Sequence, residues 1–307
     1  MLKTAFMGGA DAFGPGPAAL AAGGLEIAAY CAAPGRGALS LSGAVLHGSA
    51  WELFAEPGLQ AAAISLPPAE CFRAALLALS RGLHVFCEPP FCRSTGELEE
   101  LREAAEKAGR VLFASQPWEH APACRALEKA ITRGLAGEVT FALARLELAW
   151  PGPADWTASP EAWQAASLLL GAVRRPPSAV EARLTPGDFA AFHVHFGRGD
   201  GFIHLSGGAA KARLRVSAAG SAGALELDGG VLRLEPRGLP PEDLQLSDGA
   251  APGEARPAWL KAELDRFRRE IEGELPRGSG LRNARYCVKL LKNAAASAAD
   301  HSAAIPL

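Results

Sequence analysis

The sequence predicts an α/β chain in two parts, a doubly wound parallel sheet followed by a mainly antiparallel sheet with helices. Three observations predict it. Short apolar strands alternate with helix-patterned segments over the first ~115 residues, the mark of parallel strands joined by crossover helices. From Gly137 the pattern shifts to period-two strands separated by glycine-bearing turns. The 307 residues, 49% hydrophobic and 21% charged, are enough to bury two cores in a soluble globular chain.

The elements of the first part follow in order. Leu2–Met7 reads as a strand, Pro17–Ala22 as a short helix and Glu26–Cys31 as a second strand. Ala61–Leu66 is a strand, and Ala69–Arg81 a helix stopped by Gly82 in the left-handed conformation. Leu83–Cys87 is a buried strand. Ser94 and Glu97 form a capping-box pattern that opens a helix through Ala108, with Leu98, Leu101 and Ala105 on one face and Gly109 at its end. Arg110–Ala114 is the next strand.

The second part reads as strands at Glu138–Leu148, Ser178–Leu184, Asp188–Phe196, Gly201–Ser206, Ala212–Ser217, Ala222–Leu227 and Val231–Glu235. The segment GRGDG signals a hairpin, and LPPEDLQLSDGAAPGEARP reads as a polar loop. Helices near Ala258–Glu272 and Leu281–Ala299 close the chain. The expected domains are residues 1–117 and 118–307, with the C-terminal helices free to pack back on the first.

Bulk properties exclude several functions. A net charge of −2 without a basic block offers nucleic acid no electrostatic footprint. No apolar run spans a bilayer, and MLKTAFMGG reaches glycine too early for a signal peptide, so a cytoplasmic location is expected. The six cysteines are dispersed in apolar segments, and the Cys87/Cys92 pair reads as packing rather than as a metal or redox site.

Candidate chemistry starts at the first strand-to-helix turn, MGGADAFGPGPAAL. Such a turn can cradle a dinucleotide pyrophosphate, because glycine lets the backbone approach and the helix start points amides at the anion. Starting the G-x-G-x-x-G pattern at Gly8 puts Ala10 and Phe13 in its later glycine positions, whereas Gly14-x-Gly16-x-x-Ala19 fits the looser form. A phosphate loop and a plain Gly/Pro connection both remain open. The second strand ends on Cys31-Ala32 without the acid that would bind ribose hydroxyls, and Arg36 could instead meet a 2′-phosphate.

The stretch ISLPPAECFRAALLALSRGLHVFCEPPFCRSTGELEELREAAEKAGRVLFAS resembles the Gfo/Idh/MocA oxidoreductase family. The shared features are a strand ending in the Pro67-Pro68 turn, then a helix, a Gly-x-His-Val strand start and an acid-x-Pro turn. The likeness continues through ALEKAITRGLAGEVTFALARLEL and returns in AGSAGALELDGG and LKAELDRFRREIEG. It implies a Rossmann domain with NAD or NADP, and a second α/β domain whose large open sheet often mediates assembly, here a homodimer or homotetramer. It also implies hydride exchange with a sugar or polyol-like small molecule. Its Glu-Lys-Pro lysine contacts cofactor and substrate and aids proton transfer, and a His with an Asp one helical turn on serves as acid/base.

Carried over residue by residue, Glu88 matches the acid and Pro90 the proline, but the lysine position is Pro89. The family's His and Asp fall near Glu161 and Gln164. Proline carries no proton, so a degenerate site or a replacement set is implied. Glu88, His120 and Glu161 are the candidate acid/base groups, although Glu161 could equally cap its own helix. Gly8, Gly9, Ala10, Gly14, Gly16 and Arg36 are candidates for the cofactor, with Pro67, Pro68 and Glu88 beside it. A catalytically silent binding or structural partner of the same fold is the alternative.

His193 and His195 alternate along one strand and share a face. With His204 or an acid as third ligand they could hold a metal, but they read better as histidines on a half-exposed sheet or subunit interface. Whether His204 shares that face depends on a one-residue choice of register.

Overall fold

The computed structural model describes residues 1–14, 16–33, 39–254, 256–281 and 283–307. The chain divides into two compact units. One comprises Met1–Pro117 with Ala255–Arg285, the other Trp118–Glu254 with Tyr286–Leu307.

The first unit is built on β1 (Leu2–Gly8), α1 (Pro17–Ala22), β2 (Leu25–Ala32), β3 (Val45–Leu46), α2 (Ala50–Leu53), β4 (Ala61–Ile64), α3 (Pro68–Ser80), β5 (His84–Cys87), α4 (Thr95–Ala108) and β6 (Leu112–Ala114). The six strands are parallel in the order β3-β2-β1-β4-β5-β6. Every residue of β4 and β5 is buried, as expected of central strands covered on both faces. Ala61-Ala62-Ala63 would favour helix by propensity alone. Their burial between β1 and β5 overrides that preference.

Local signals set the helix ends. Ser94 Oγ accepts from the Glu97 N–H at 3.1 Å, and Gly109 ends α4 at φ 64°. The return arm of the expected capping box is shifted by one residue. Glu97 Oε2 accepts from the Arg93 N–H at 2.6 Å rather than closing on Ser94.

The second unit opens with α5 (Pro122–Thr132), β7 (Val139–Glu147), α6 (Pro160–Val173), β8 (Pro177–Thr185), β9 (Phe189–Phe196) and β10 (Asp200–Ser206). It continues with β11 (Arg213–Gly220), β12 (Gly223–Asp228), β13 (Val231–Pro236) and β14 (Glu242–Gln245). After α7 (Pro257–Ile271), which belongs to the first unit, the chain ends in α8 (Ala284–Ala299) and β15 (Ile305–Pro306). The nine strands run β14-β13-β12-β11-β7-β10-β9-β8-β15. Among the described pairings of this sheet only β7 with β10 is parallel. The segment expected to be wholly loop thus carries β14. Its sequence hid the strand because Leu244 is the only apolar side chain in Glu242–Gln245.

Alternation gives this sheet two unlike faces. In β9, Ala190, Phe192, Val194 and Phe196 are buried, while Ala191, His193 and His195 are only half-buried. Helix α6 packs on the buried side against β7, β10 and β11, with Trp163 enclosed. The other side carries ionisable and aromatic side chains, among them Glu181, His193, His195 and Phe202.

The core of the first unit depends on α7. Phe267, Leu260 and Leu264 join Phe6, Phe13, Phe86 and Phe113 in one cluster. The Phe86 ring lies 5.2, 5.5 and 5.3 Å from those of Phe13, Phe113 and Phe267, within the range of favourable aromatic contact.

Candidate functional site

Strand order in the first unit reverses between β1 and β4, since β2 and β3 lie on one side of β1 and β4 to β6 on the other. In sheets of this kind the crevice outside the carboxyl ends at the reversal receives ligands. Hydrogen bonds extend the ladder past the strand ends and fix the first residue of each loop. Ala33 N–H donates to Gly8 O at 3.0 Å, Ser65 N–H to Met7 O at 2.8 Å, Glu88 N–H to Ile64 O at 2.9 Å and Ser115 N–H to Cys87 O at 2.7 Å.

Gly8 sits at the reversal. A Cβ there would stand 3.0 Å from Phe6 Cζ and 3.2 Å from both the Cβ and the carbonyl oxygen of Ser65. The two central strand ends approach each other as closely as a glycine permits. Gly9 and Ala10 follow, and then the loop turns on itself. Ala12 N–H donates to Gly9 O, Gly14 N–H to Asp11 O and Gly16 N–H to Ala12 O, so these three amides close turns inside the loop. Ala12 and Phe13 are buried, with Phe13 at φ 56° held against Phe86. Gly14 and Gly16 both adopt φ 81°, and a Cβ on Gly16 would meet Ala10 O at 2.5 Å. Gly16 is the N-cap of α1. The two glycine registers read from the sequence are therefore different places: Gly8 to Ala10 is the exit from β1, and Gly14 to Ala19 the entry to α1.

At the end of β2, Cys31, Ala32 and Ala33 offer no carboxylate. Burial, and secondarily Glu52, pushes the Cys31 thiol above its ordinary range. Arg36 lies outside the described residues.

After β4, Pro67 occupies the cap position of α3 and Pro68 its first turn, where a missing N–H costs nothing. After β5, Glu88 is half-buried and accepts a hydrogen bond from Ser65 Oγ, which ties the β5 loop to the β4 loop. Pro89 and Pro90 are buried and joined by a cis peptide bond. Sequence reasoning missed Ser65, which it placed inside the strand Ala61–Leu66, whereas β4 ends at Ile64 and Ser65 is the first residue of the loop. It also missed Glu263 of α7, 2% exposed, which accepts from Ser115 Oγ at 2.9 Å and from the Gln116 N–H at the end of β6. No local signal could reveal a partner so distant in sequence.

His84, in the Gly-x-His-Val strand start, is a structural group. Its Nδ1 accepts from the Val111 N–H at 3.1 Å. Burial, then Arg110 and Arg277, lowers its pKa to about 4. Cys87 and Cys92 are buried thiols, Cys87 well above its ordinary pKa and Cys92 pushed up to about 12, both chiefly by burial.

His120 and Glu161 belong to the second unit, whereas Glu88 belongs to the first. His120 ends the 3-10 turn Pro117–His120, half-buried, just before α5. Glu161 lies in the first turn of α6, behind Ser159, whose Oγ accepts from the Ala162 N–H at 3.1 Å. Burial raises the Glu161 pKa, while its own amide and Ser159 draw it back. Gln164, one turn on, is buried and donates to Ala250 O at 3.3 Å. It is an amide, with no proton to exchange.

Residues 37–116 match the model of the Gfo/Idh/MocA family, described as an oxidoreductase family with an NAD-binding Rossmann fold. The match starts beyond the glycine loop and spans Pro67, Pro68 and Glu88. Among solved structures, GenD2 from gentamicin A biosynthesis in complex with NAD is 19% identical, covers 100% of this chain and 96% of its own, and superposes with a TM-score of 0.79. An oxidoreductase from Agrobacterium radiobacter in complex with NAD+, L-tartaric acid and magnesium is 18% identical, with coverage of 99% and 98% and a TM-score of 0.77. A putative myo-inositol dehydrogenase from Sinorhizobium meliloti is 17% identical, with coverage of 99% of both chains and a TM-score of 0.75. No protein with a curated description matches the sequence significantly. Among the described residues no helix is long and apolar enough to cross a membrane. The chain thus carries the Gfo/Idh/MocA signature in its first unit, and it shares its whole fold with oxidoreductases of known structure.

Proposed function

We propose that this chain, with the Gfo/Idh/MocA signature and fold as the premise, is an NAD(P)-binding oxidoreductase-fold protein for a sugar or polyol-like small molecule, its family lysine replaced by Pro89. The observation that carries the reading is the strand reversal at β1 and β4, where Gly8 keeps the crevice floor free of side chain. The backbone of Gly8, Gly9 and Ala10 would lie beside the pyrophosphate, with Pro67, Pro68 and Glu88 flanking the other half of the cofactor. When bound, the nicotinamide supplies the hydride acceptor or donor.

The chain's own contribution is chiefly positional. Buried prolines after β5 shape the site without exchanging a proton, and Glu88 is oriented by Ser65. Proton transfer falls to the remaining titratable candidates, Glu88, His120 and Glu161. We take the two units as the cofactor and substrate parts of one cytoplasmic protein that assembles as a homodimer or homotetramer through the open sheet.

The second reading is a binding protein without turnover. Buried Pro89 at the lysine position and the amide Gln164 at the acid position favour it.

Titrating NADH and NADPH against tryptophan fluorescence tests the common premise. Binding in the micromolar range is expected, with Gly8→Val weakening it at least ~10-fold, about 1.4 kcal/mol. Absence of binding by either nucleotide would overturn the proposal. A sugar and polyol panel with NAD+ and NADP+ then separates the readings, because nicotinamide reduction supports the first and binding without reduction the second.

A further inference from the structure

The bare face of the nine-stranded sheet carries a second concentration of chemistry. On β9, His193 and His195 point to this face with ring centroids 4.0 Å apart. The sheet register places Glu181 of β8 directly opposite His193, and Asp200 of β10 directly opposite His195. Two imidazoles therefore stand between two carboxylates, one on each flanking strand. Phe202 stacks on His193 at 4.6 Å and 9°, which fixes the plane of that ring.

The four side chains make four nitrogen–oxygen approaches. Asp200 Oδ1 lies 2.9 Å from His193 Nε2 and 3.2 Å from His195 Nδ1. Glu181 Oε1 lies 2.8 Å from His195 Nε2 and 4.0 Å from His193 Nδ1. A neutral imidazole has one N–H. If each ring gives its N–H to Asp200, then His195 Nε2 and His193 Nδ1 turn bare lone pairs toward the Glu181 carboxylate. Lone pairs facing an anion at this range repel unless a cation lies between them.

We propose that Glu181, His193 and His195 form a site for a divalent transition-metal ion of the zinc type on the open face of the second unit, with Asp200 as the positioning carboxylate behind both rings. One ligand atom from each of the three residues lies within 4.8 Å of the others. Bond lengths of about 2.0–2.2 Å to nitrogen and oxygen place the ligands of a tetrahedral zinc about 3.3–3.6 Å apart. The observed 2.8 and 4.0 Å bracket that spacing, so small rotations of the side chains suffice. Asp200 accepting the distal N–H of each histidine is the arrangement that orients metal-bound imidazole and makes it a better donor. Two carboxylates and two neutral rings sum to two negative charges, which a divalent ion balances.

His204 is not part of the set. The register does put it on the same face, opposite Ala191. Its ring lies parallel to Phe189 at 6.4 Å, and burial, then Arg145, lowers its pKa. The third ligand is the acid Glu181, on the other side of β9.

Calorimetric titration of chelator-treated full-length protein with zinc chloride tests the site, with cobalt absorption between about 500 and 650 nm as a second readout of four-coordinate ligation. One zinc per chain is expected, and His195→Ala or Glu181→Gln should weaken it more than ~100-fold. Asp200→Asn should weaken it by about 10–100-fold, as loss of an outer carboxylate does. Circular dichroism checks that each variant is folded, and Glu181→Gln keeps size and polarity so that the test survives a structural failure of the alanine variant. No zinc binding by the parent protein, or equal binding by the parent and the folded Glu181→Gln variant, would overturn the proposal. Such equality would assign the metal to other ligands.

Discussion

The two sheets differ in what they leave uncovered. In the first unit the parallel sheet is enclosed, and among the described residues its carboxyl edge presents glycine, serine, proline and the hydrogen-bonded acids Glu88 and Glu263. In the second, one sheet face is buried under α6, while the opposite face lines up opposite charges both along and across its strands. Arg213 and Arg215 meet Asp228, Arg145 meets Glu147, and the histidine pair meets Glu181 and Asp200. The edge that fold topology marks for ligands is poor in proton-bearing groups, and the face that topology leaves unassigned is rich in them. Topology and side-chain chemistry are separate sources of functional evidence, and in this chain they point to different regions.

The largest test of the contrast is a pair of aromatic truncations. Phe86→Ala, inside the enclosed cluster, should cost about 3–5 kcal/mol in urea unfolding. In protein diluted until monomeric, Phe202→Ala on the open face should stay within about 0.5 kcal/mol. Equal losses at higher protein concentration would mean that the open face is covered in solution, as a second copy would do.

A smaller loss should follow Glu263→Ala, which strands the Ser115 hydroxyl and the Gln116 amide at the end of β6. About 1–3 kcal/mol is expected in the same measurement, with little change in denaturant slope. A neutral result would show that water reaches that edge.

The least effect is a slope. The folded His84 pKa of about 4 lies below its ordinary value near 6.5. Between these values the unfolded chain binds more protons, so stability falls as pH drops from 6.5 toward 4. Thermal melts should show a shallower acid decline for His84→Gln than for the parent. Identical slopes would remove His84 from the acid response.

Much of the fold was legible because its signals are local. Ser94 and Gly109 mark the ends of α4, and period two marks β9 and β10, since capping and pleat alternation act over a few residues. The helix α5 was not read as an element, and four short elements, β3, α2, β14 and β15, escaped as well. These four have only two to four residues each and exist through pairing or packing with distant segments. The glycine loop was half legible. Its glycines announced positive φ, but nothing announced that Phe13 would leave the loop for the core. The acids around His193 and His195 were invisible for a different reason. Sequence supplies the alternation along a strand, whereas opposition across strands needs the register.

The core of the first unit is discontinuous in sequence, and this bears on how the chain is made. When residue 117 has left the ribosome, Phe86 and Phe113 still lack Leu260, Leu264 and Phe267. At about 5–20 residues per second, some 140 further residues delay those partners by roughly 7–30 s. During that interval the nascent segment exposes an aromatic surface that chaperones recognise, and a ribosome stalled before α7 should release a fragment prone to aggregation.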